Sequence, residues 1–388
     1  MNTPRKANRP ASPKERRTPP LGDLVLSPSE RLIMSIVRRL GPVARSAIAA
    51  ETDLAQQSVH RLVEQLIERG LLRAGDAVRS GRGQPSPQID IVRDAAYAVG
   101  VSINTDSIIL CLADLGCEVL DEVRLRTAPL HRQASLKSIH DVLQRVLARN
   151  GVPRDRIIGM GVAISGFFVA GRRQVNAPEP LRDWSLIDLA PILEEAFHMP
   201  VWLENDATTA AIGESMLGTG SWAKNFAYLA FNFGFGAGIV LDGKPLFGTH
   251  GNAGELTLFT PDEAAHRPTL CSLIDELNAH GVHVDSAEDL RRRFDIQWPG
   301  VELWIQRTLP ALNRTINAVT GLFDPAAIVF GGQLPLALGH ALIERVSFLD
   351  IHRYGAGPDR PKLVLAEANG DASAIGAAVI PLKERLFE

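Results

Sequence analysis

Apolar residues recur at helical spacing over Leu32, Ile33, Ile36, Val37 and Leu40, directly behind Ser27-Pro28-Ser29-Glu30. A cap serine, a proline in the first turn and a glutamate at the third helical position form a capping box, so a helix is predicted to start after Ser27. Gly41-Pro42 ends it. A short second helix is predicted over about 45–51, a turn at Thr52-Asp53, and a third helix over about 55–69, closed by Gly70. The third helix is two-sided. Val59, Leu62, Val63, Leu66 and Ile67 make its apolar face, while Gln57, Arg61 and Glu64 point the other way, flanked by Ser58 and His60. Residues 71–73 and 88–92 read as two strands around Arg79-Ser80-Gly81-Arg82-Gly83-Gln84-Pro85. Three helices and a hairpin predict a winged helix-turn-helix over 27–93.

Beyond residue 94 the pattern changes. Short β-rich runs are predicted at 98–103, 107–112, 157–164, 201–204, 226–231, 238–241 and 328–330. Helical stretches lie between them at 136–149, 186–197, 207–217 and 301–320, and a last one at 372–386, where Pro381 is expected to kink or break the helix. Strands alternating with helices predict an α/β body, and its length suits two lobes. The expected division is about 94–205 plus the C-terminal helix, and about 206–370.

Composition adds an asymmetry. The chain of 388 residues has a net charge of -3, but residues 1–95 carry +6 and the remainder -9. Residues 1–26 hold six basic residues and five prolines and few apolar ones, and read as a flexible basic tail. A basic front on an acidic body calls for an anionic partner at the front alone. Three cysteines without close pairs argue against a disulfide framework and a cysteine-rich zinc site. The longest uncharged run, 325–343, is interrupted by glycines and a proline, so a strand, turn and helix fit it better than a membrane span. A cytoplasmic protein is expected, with no membrane partner.

Double-stranded DNA is the partner this front suits. Gln can pair with adenine, and Arg with guanine or a phosphate. Gln57, Ser58, His60 and Arg61 are the candidate reading residues, and Arg79 and Arg82 the candidate wing contacts. The alternative is a small helical domain used only for packing.

The body carries several motifs. Glu204-Asn205-Asp206 closes a strand and opens a helix containing Ala210-Ala211-Ile212-Gly213-Glu214. Gly234, Gly236 and Gly238 precede a strand and the turn Asp242-Gly243, and Gly248-x-x-Gly251-Asn252-Ala253-Gly254-Glu255 follows. Phe323-Asp324-Pro325 leads into a strand ending at Gly331-Gly332, and Ala372-Ser373-Ala374-Ile375-Gly376-Ala377-Ala378 opens the last helix. Their order, behind a winged helix-turn-helix, resembles the ROK family (repressors, open reading frames, sugar kinases) over about 27–388.

The resemblance implies an actin-like ATPase and sugar-kinase body of two α/β lobes around a cleft. It implies sugar contacts for Asn205, Asp206, Glu255 and Asn176, the last within Asn176-Ala177-Pro178, which with Trp184 resembles the segment lining the sugar pocket. Carboxylates and amides suit sugar hydroxyls, which both donate and accept. At Asp206 a second reading stays open, a helix cap and nothing more. At Glu255 the alternative is a solvated turn glutamate. The glycine loop at 234–238 reads equally as a tight hairpin.

The departures bear on chemistry. The family's kinases open with a strand and Asp-x-Gly-Gly-Thr, whereas this chain has Ser102-Ile103-Asn104-Thr105-Asp106. A hydroxyl replaces the carboxylate that handles magnesium, side chains replace glycines, and Asp106 adds negative charge where phosphate would sit. The family's zinc cluster is also absent: Leu258 stands where its histidine would be, and 259–275 offers only His266 and Cys271, expected to be a surface histidine and a buried thiol.

The expected protein is therefore a transcriptional regulator, a repressor by preference, and no enzyme. It binds operator DNA, takes a sugar or sugar derivative as effector, and works as a homodimer or homotetramer without cofactor or metal. The alternatives are a ligand-independent DNA-binding scaffold and, third, an active sugar kinase with an added DNA-binding domain.

Overall fold

The computed structural model describes residues 24–78, 86–125, 131–256, 266–368 and 370–388. Its N-terminal part holds α1 (Pro28–Leu40), β1 (Val43–Ala44), α2 (Arg45–Ala50), α3 (Gln56–Glu68), β2 (Leu72–Val78) and β3 (Ser86–Ile91). The capping box forms in full: the Glu30 N–H donates to Ser27 Oγ at 3.3 Å, and the Ser27 N–H donates to Glu30 Oε2 at 2.8 Å. The three strands pair in the order β1-β3-β2 beside the helices.

The first lobe contains β4 (Tyr97–Ile103), β5 (Ile108–Asp114), β6 (Val119–Leu125), α4 (Arg132–Asn150), β7 (Ile157–Ile164), β8 (Phe167–Val169), β9 (Gln174–Asn176), α5 (Leu189–Phe197) and β10 (Val201–Asn205). Its five-stranded sheet runs β10-β7-β4-β5-β6, with β10 and β7 parallel. The second lobe follows with α6 (Asp206–Leu217), β11 (Phe226–Phe231), β12 (Phe235–Leu241), β13 (Lys244–Pro245), α7 (Leu270–Ala279), α8 (Ala287–Arg293), α9 (Val301–Phe323), β14 (Ala327–Gly332), α10 (Leu336–Arg345) and β15 (Lys362–Leu365). Its sheet is also five-stranded, in the order β13-β12-β11-β14-β15. The chain closes with α11 (Ala372–Leu386), which returns to the first lobe.

Helices α6 and α11 lie side by side between the two sheets, α6 against β12 and α11 against β4 and β7. Their small residues make this possible. A Cβ on Gly376 would stand 1.7 Å from the Thr209 carbonyl oxygen, and one on Gly161 of β7 would stand 1.9 Å from that of Ala377. The alanine- and glycine-rich motifs are thus packing surfaces. Pro381 does not break α11, which runs continuously to Leu386. Burial of its flanks against both the winged domain and the body outweighs the lost hydrogen bond.

The winged domain is not a detached bead. Its core of Ile33, Ile36, Val59 and Leu66 is continuous with Leu382, Leu386 and Phe387 of the C-terminus. Arg31 donates through Nε to the Phe387 carbonyl at 2.6 Å and through Nη2 to that of Lys383 at 3.0 Å. The Glu388 N–H donates to Ser35 Oγ at 2.8 Å. Helix α1 is therefore anchored on the end of α11.

Candidate functional site

Helix α3 keeps its apolar face inside, with Val59, Val63 and Leu66 wholly buried. Gln56, Gln57, His60 and Arg61 are exposed on the other side. Ser58 is half-buried and lies on the flank of this exposed face. Glu64, whose charge would repel a phosphate, accepts from Arg45 Nη2 at 2.5 Å. The helix begins after Ala55, which has no side-chain cap, so its first N–H groups lie open at the positive end of the dipole. Gln56 was missed in the sequence because it falls at the helix boundary, the least legible position. The wing residues Arg79 and Arg82 lie outside the described residues.

The body holds a second candidate site at the mouth between its sheets. Asn176, Asn205, Asp206 and Glu255 line one cavity of about 280 Å³, together with Thr105, Ser165, Asn232 and the hairpin at 233–236. Asp206 sits at its floor, 8% exposed. Its Oδ2 accepts from Ser165 Oγ at 2.7 Å and from Asn232 Nδ2 at 3.1 Å, and Oδ1 accepts from the Ala207 N–H at 2.9 Å. The carboxylate is thus held from both lobes. Ser165 and Asn232 belong to no sequence motif, but each directly follows a strand at its carboxyl end. Ligands gather at that edge of α/β sheets, and this was the signal available.

The helix cap falls to Asn205, not Asp206. Asn205 Oδ1 accepts from the N–H groups of Ala207 and Thr208, at 2.9 and 3.2 Å, and Nδ2 donates to the Gly166 carbonyl at 2.8 Å. Asn205 shapes the cavity while Asp206 faces it. Trp184 does not line the cavity with Asn176. It is wholly buried in the first-lobe core.

Two features join the lobes. The 248–254 loop turns on three left-handed glycines, Gly248, Gly251 and Gly254. It delivers Asn252 to the Phe168 peptide, with the Phe168 N–H donating to Oδ1 at 2.7 Å and Nδ2 donating to Phe168 O at 2.9 Å. Beside it, Arg172 sits between the rings of Phe168 and Phe247, 5.0 Å from each centroid, and donates to Glu204 Oε2 at 2.6 Å. Burial pushes the Glu204 carboxyl up despite the opposing pull of Arg172.

At the other end, the turn after β4 behaves as its residues suggest. Ser102 Oγ donates to Asn104 Oδ1 at 3.3 Å, and among the described residues the buried Asn104 Nδ2 has no partner. Asp106 Oδ2 accepts from the Ala287 N–H of α8 at 3.1 Å, and Arg124 pairs with Glu288 at 3.3 Å. A carboxylate of the chain itself therefore occupies this helix end. Gly234 lies in the turn of the β11–β12 hairpin, and Gly238 lies in β12, where a Cβ would stand 2.5 Å from the Ala207 carbonyl oxygen. Gly238 thus serves the packing of α6, whereas a Cβ at Gly234 would meet nothing within 4 Å.

Among the described residues no three His, Cys, Asp or Glu side chains gather as a metal site. Leu258 and residues 257–265 lie outside them. Cys271 is half-buried, not buried, because α7 presents it beside Asp275, 3.9 Å away. No described helix is long and apolar enough to cross a membrane.

The ROK family model matches residues 98–272. Two relatives align with part of the chain. The xylose repressor of Caldicellulosiruptor bescii is 25% identical over 55% of this chain and 54% of its own length. The DNA-binding transcriptional dual regulator NagC of Escherichia coli is 27% identical over 60% of this chain and 57% of its own. The aligned part thus spans a little over half of each relative. A solved ROK family transcriptional regulator, a homologue of the Escherichia coli MLC protein, superposes with a TM-score of 0.68 at 21% identity over 92% of this chain and 96% of that one. The chain is similar to ROK family proteins, and the family match itself covers residues 98–272. That superposition covers nearly the whole chain and shows a shared fold. By their names the first of these relatives is a repressor and the second a DNA-binding dual regulator.

Proposed function

We propose that this protein is a sequence-specific DNA-binding repressor of sugar-related genes, with a sugar or sugar derivative as effector in the cleft around Asp206. The observation that carries the reading is the coexistence of an exposed polar face on α3 and a carboxylate cavity gripped from both lobes. Gln57, His60 and Arg61 read bases or phosphates, with Ser58 at the flank and Arg79 and Arg82 on the backbone or minor groove. Asp206, Asn176 and Glu255 meet sugar hydroxyls, and Asn205 orients them through its cap.

A ligand that fits one closure state of the lobes shifts that population, and α11 carries the change to α1 through Arg31. Paired winged domains then fit or miss the two half-sites of an operator. The protein acts as a homodimer or homotetramer in the cytoplasm. Leu349, Ile351 and the fully exposed Tyr354 form an apolar stretch suited to self-association.

Regulation without catalysis is favoured by the turn after β4. Ser102 stands where a magnesium carboxylate belongs, and Asp106 already occupies the start of α8. One observation favours a ligand-independent scaffold instead, the commitment of Asn205 to its cap. A thermal-shift screen of the purified chain against a sugar panel separates the two. An effector raises the melting temperature by binding only the folded state, and a scaffold responds to none.

A further inference from the structure

A hollow of about 860 Å³, larger than the cavity around Asp206, lies where the winged domain, the first lobe, the 244–247 segment of the second lobe and the end of α11 meet. Its apolar wall is Trp202 of edge strand β10, Pro191 of α5 and Ile380 of α11. Pro28 and Arg31 of α1 close it from the DNA-binding side.

The charges around it are unevenly matched. Arg172 is committed to Glu204, Arg173 faces Asp188 at 3.9 Å, and Arg31 is bound to the α11 carbonyls. Lys244 and Lys383 also line the hollow, and neither makes an ion pair or side-chain hydrogen bond among the described residues. Glu384 and Glu388, both exposed, also line it. Burial, together with Lys244 and Arg38 nearby, pushes the Lys383 ammonium below its usual range, while Glu384 opposes this. An ammonium so placed is short of an anion.

We propose that this hollow is a second binding site, for a flat apolar molecule bearing a single anionic group such as an aryl carboxylate. The anion sits between Lys244 and Lys383, and the ring system lies along Trp202, Pro191 and Ile380. The volume suits a molecule of ordinary cofactor or drug size. Because Arg31 and Pro28 form one wall, an occupant touches α1 directly and fixes the winged domain against the body. The site is independent of the cleft around Asp206 and does not rest on the sugar reading.

The test uses two fluorescent probes on the full chain: 1-anilinonaphthalene-8-sulfonate, which is anionic, and N-phenyl-1-naphthylamine, its uncharged counterpart. The wild type is expected to bind the sulfonate at one saturable site per chain, roughly tenfold or more tighter than the neutral probe. The double variant Lys244→Ala/Lys383→Ala should lose that preference while melting as a folded protein. Ala190→Trp, which fills the hollow from α5, should abolish the binding of both probes. Asp206→Asn should change neither. Equal affinity for both probes in the wild type would overturn the anionic class. Sulfonate binding that survives Ala190→Trp in a cooperatively melting variant would overturn the site.

Discussion

The side-chain amide of Asn252 closes a two-way hydrogen-bonded pair with the peptide of Phe168, at 2.7 and 2.9 Å, and so joins the second lobe to the first. Phe167, the chain neighbour of Phe168, lines the cavity that Asp206 floors. Two neutral hydrogen bonds contribute about 1 kcal/mol each. Asn252→Ala should therefore leave the chain folded but weaken sugar binding by about tenfold, through loss of the closed state. Isothermal titration with the sugar found by thermal shift reads the affinity, and circular dichroism reads the fold. Unchanged affinity would mean that lobe closure is not coupled to the ligand.

Asp206 offers a more local test. Its carboxylate accepts from Ser165 and Asn232 on one oxygen. The other oxygen accepts from the Ala207 N–H, and an amide cannot accept on both sides, so Asp206→Asn sets its NH2 against a donor on one side or the other. The thermal shift given by the effector should disappear, while operator binding without effector persists. Loss of both would point to a structural role alone.

On α3, single replacement of Gln57, His60 or Arg61 by Ala should cost about 1–3 kcal/mol of operator affinity for a base-reading residue. A residue that touches only phosphate should weaken all sequences alike and lower the salt slope. Electrophoretic mobility shifts at two salt concentrations distinguish these roles.

Stability should depend on pH through Asp371, the cap of α11. Burial and the neighbouring Glu122 push its carboxyl up to about 6, against the hydrogen bond from the Ala374 N–H. The folded chain thus holds this proton to higher pH than the unfolded chain, whose carboxyl titrates near 3.8. The stabilisation is full below that value and is lost as pH rises through about 6. Asp371→Asn keeps a capping acceptor and has no proton to lose. Its melting temperature should change less than the wild type's between pH 5 and 7, and should exceed it at the upper end.

The sequence made the winged domain legible because its signals are local. The capping box at Ser27 and the apolar stripe of α3 depend only on near neighbours. Strands β7 and β11 were readable for a different reason, as continuous apolar runs buried on both faces. Strand β6 was not, since Asp121, Glu122 and Arg124 give this half-exposed edge a polar texture. Helices α7 and α8 hid behind irregular connections. Pro381 misled because tertiary burial overrides a local breaker. At the candidate site, Asn205 and Asp206 were found as a pair, but their division of labour was not, since only three-dimensional geometry shows which side chain reaches back to the helix N–H groups. Ser165 and Asn232 are common polar residues at strand ends, and nothing in sequence marks them apart from that position.

The most direct test of the account is a titration of the full chain against its own upstream DNA at fixed salt, with and without each member of a sugar panel. The account predicts specific binding that one sugar changes by about tenfold or more, with the change abolished in Asp206→Asn. Specific binding indifferent to every sugar that the thermal-shift screen shows to bind would contradict it.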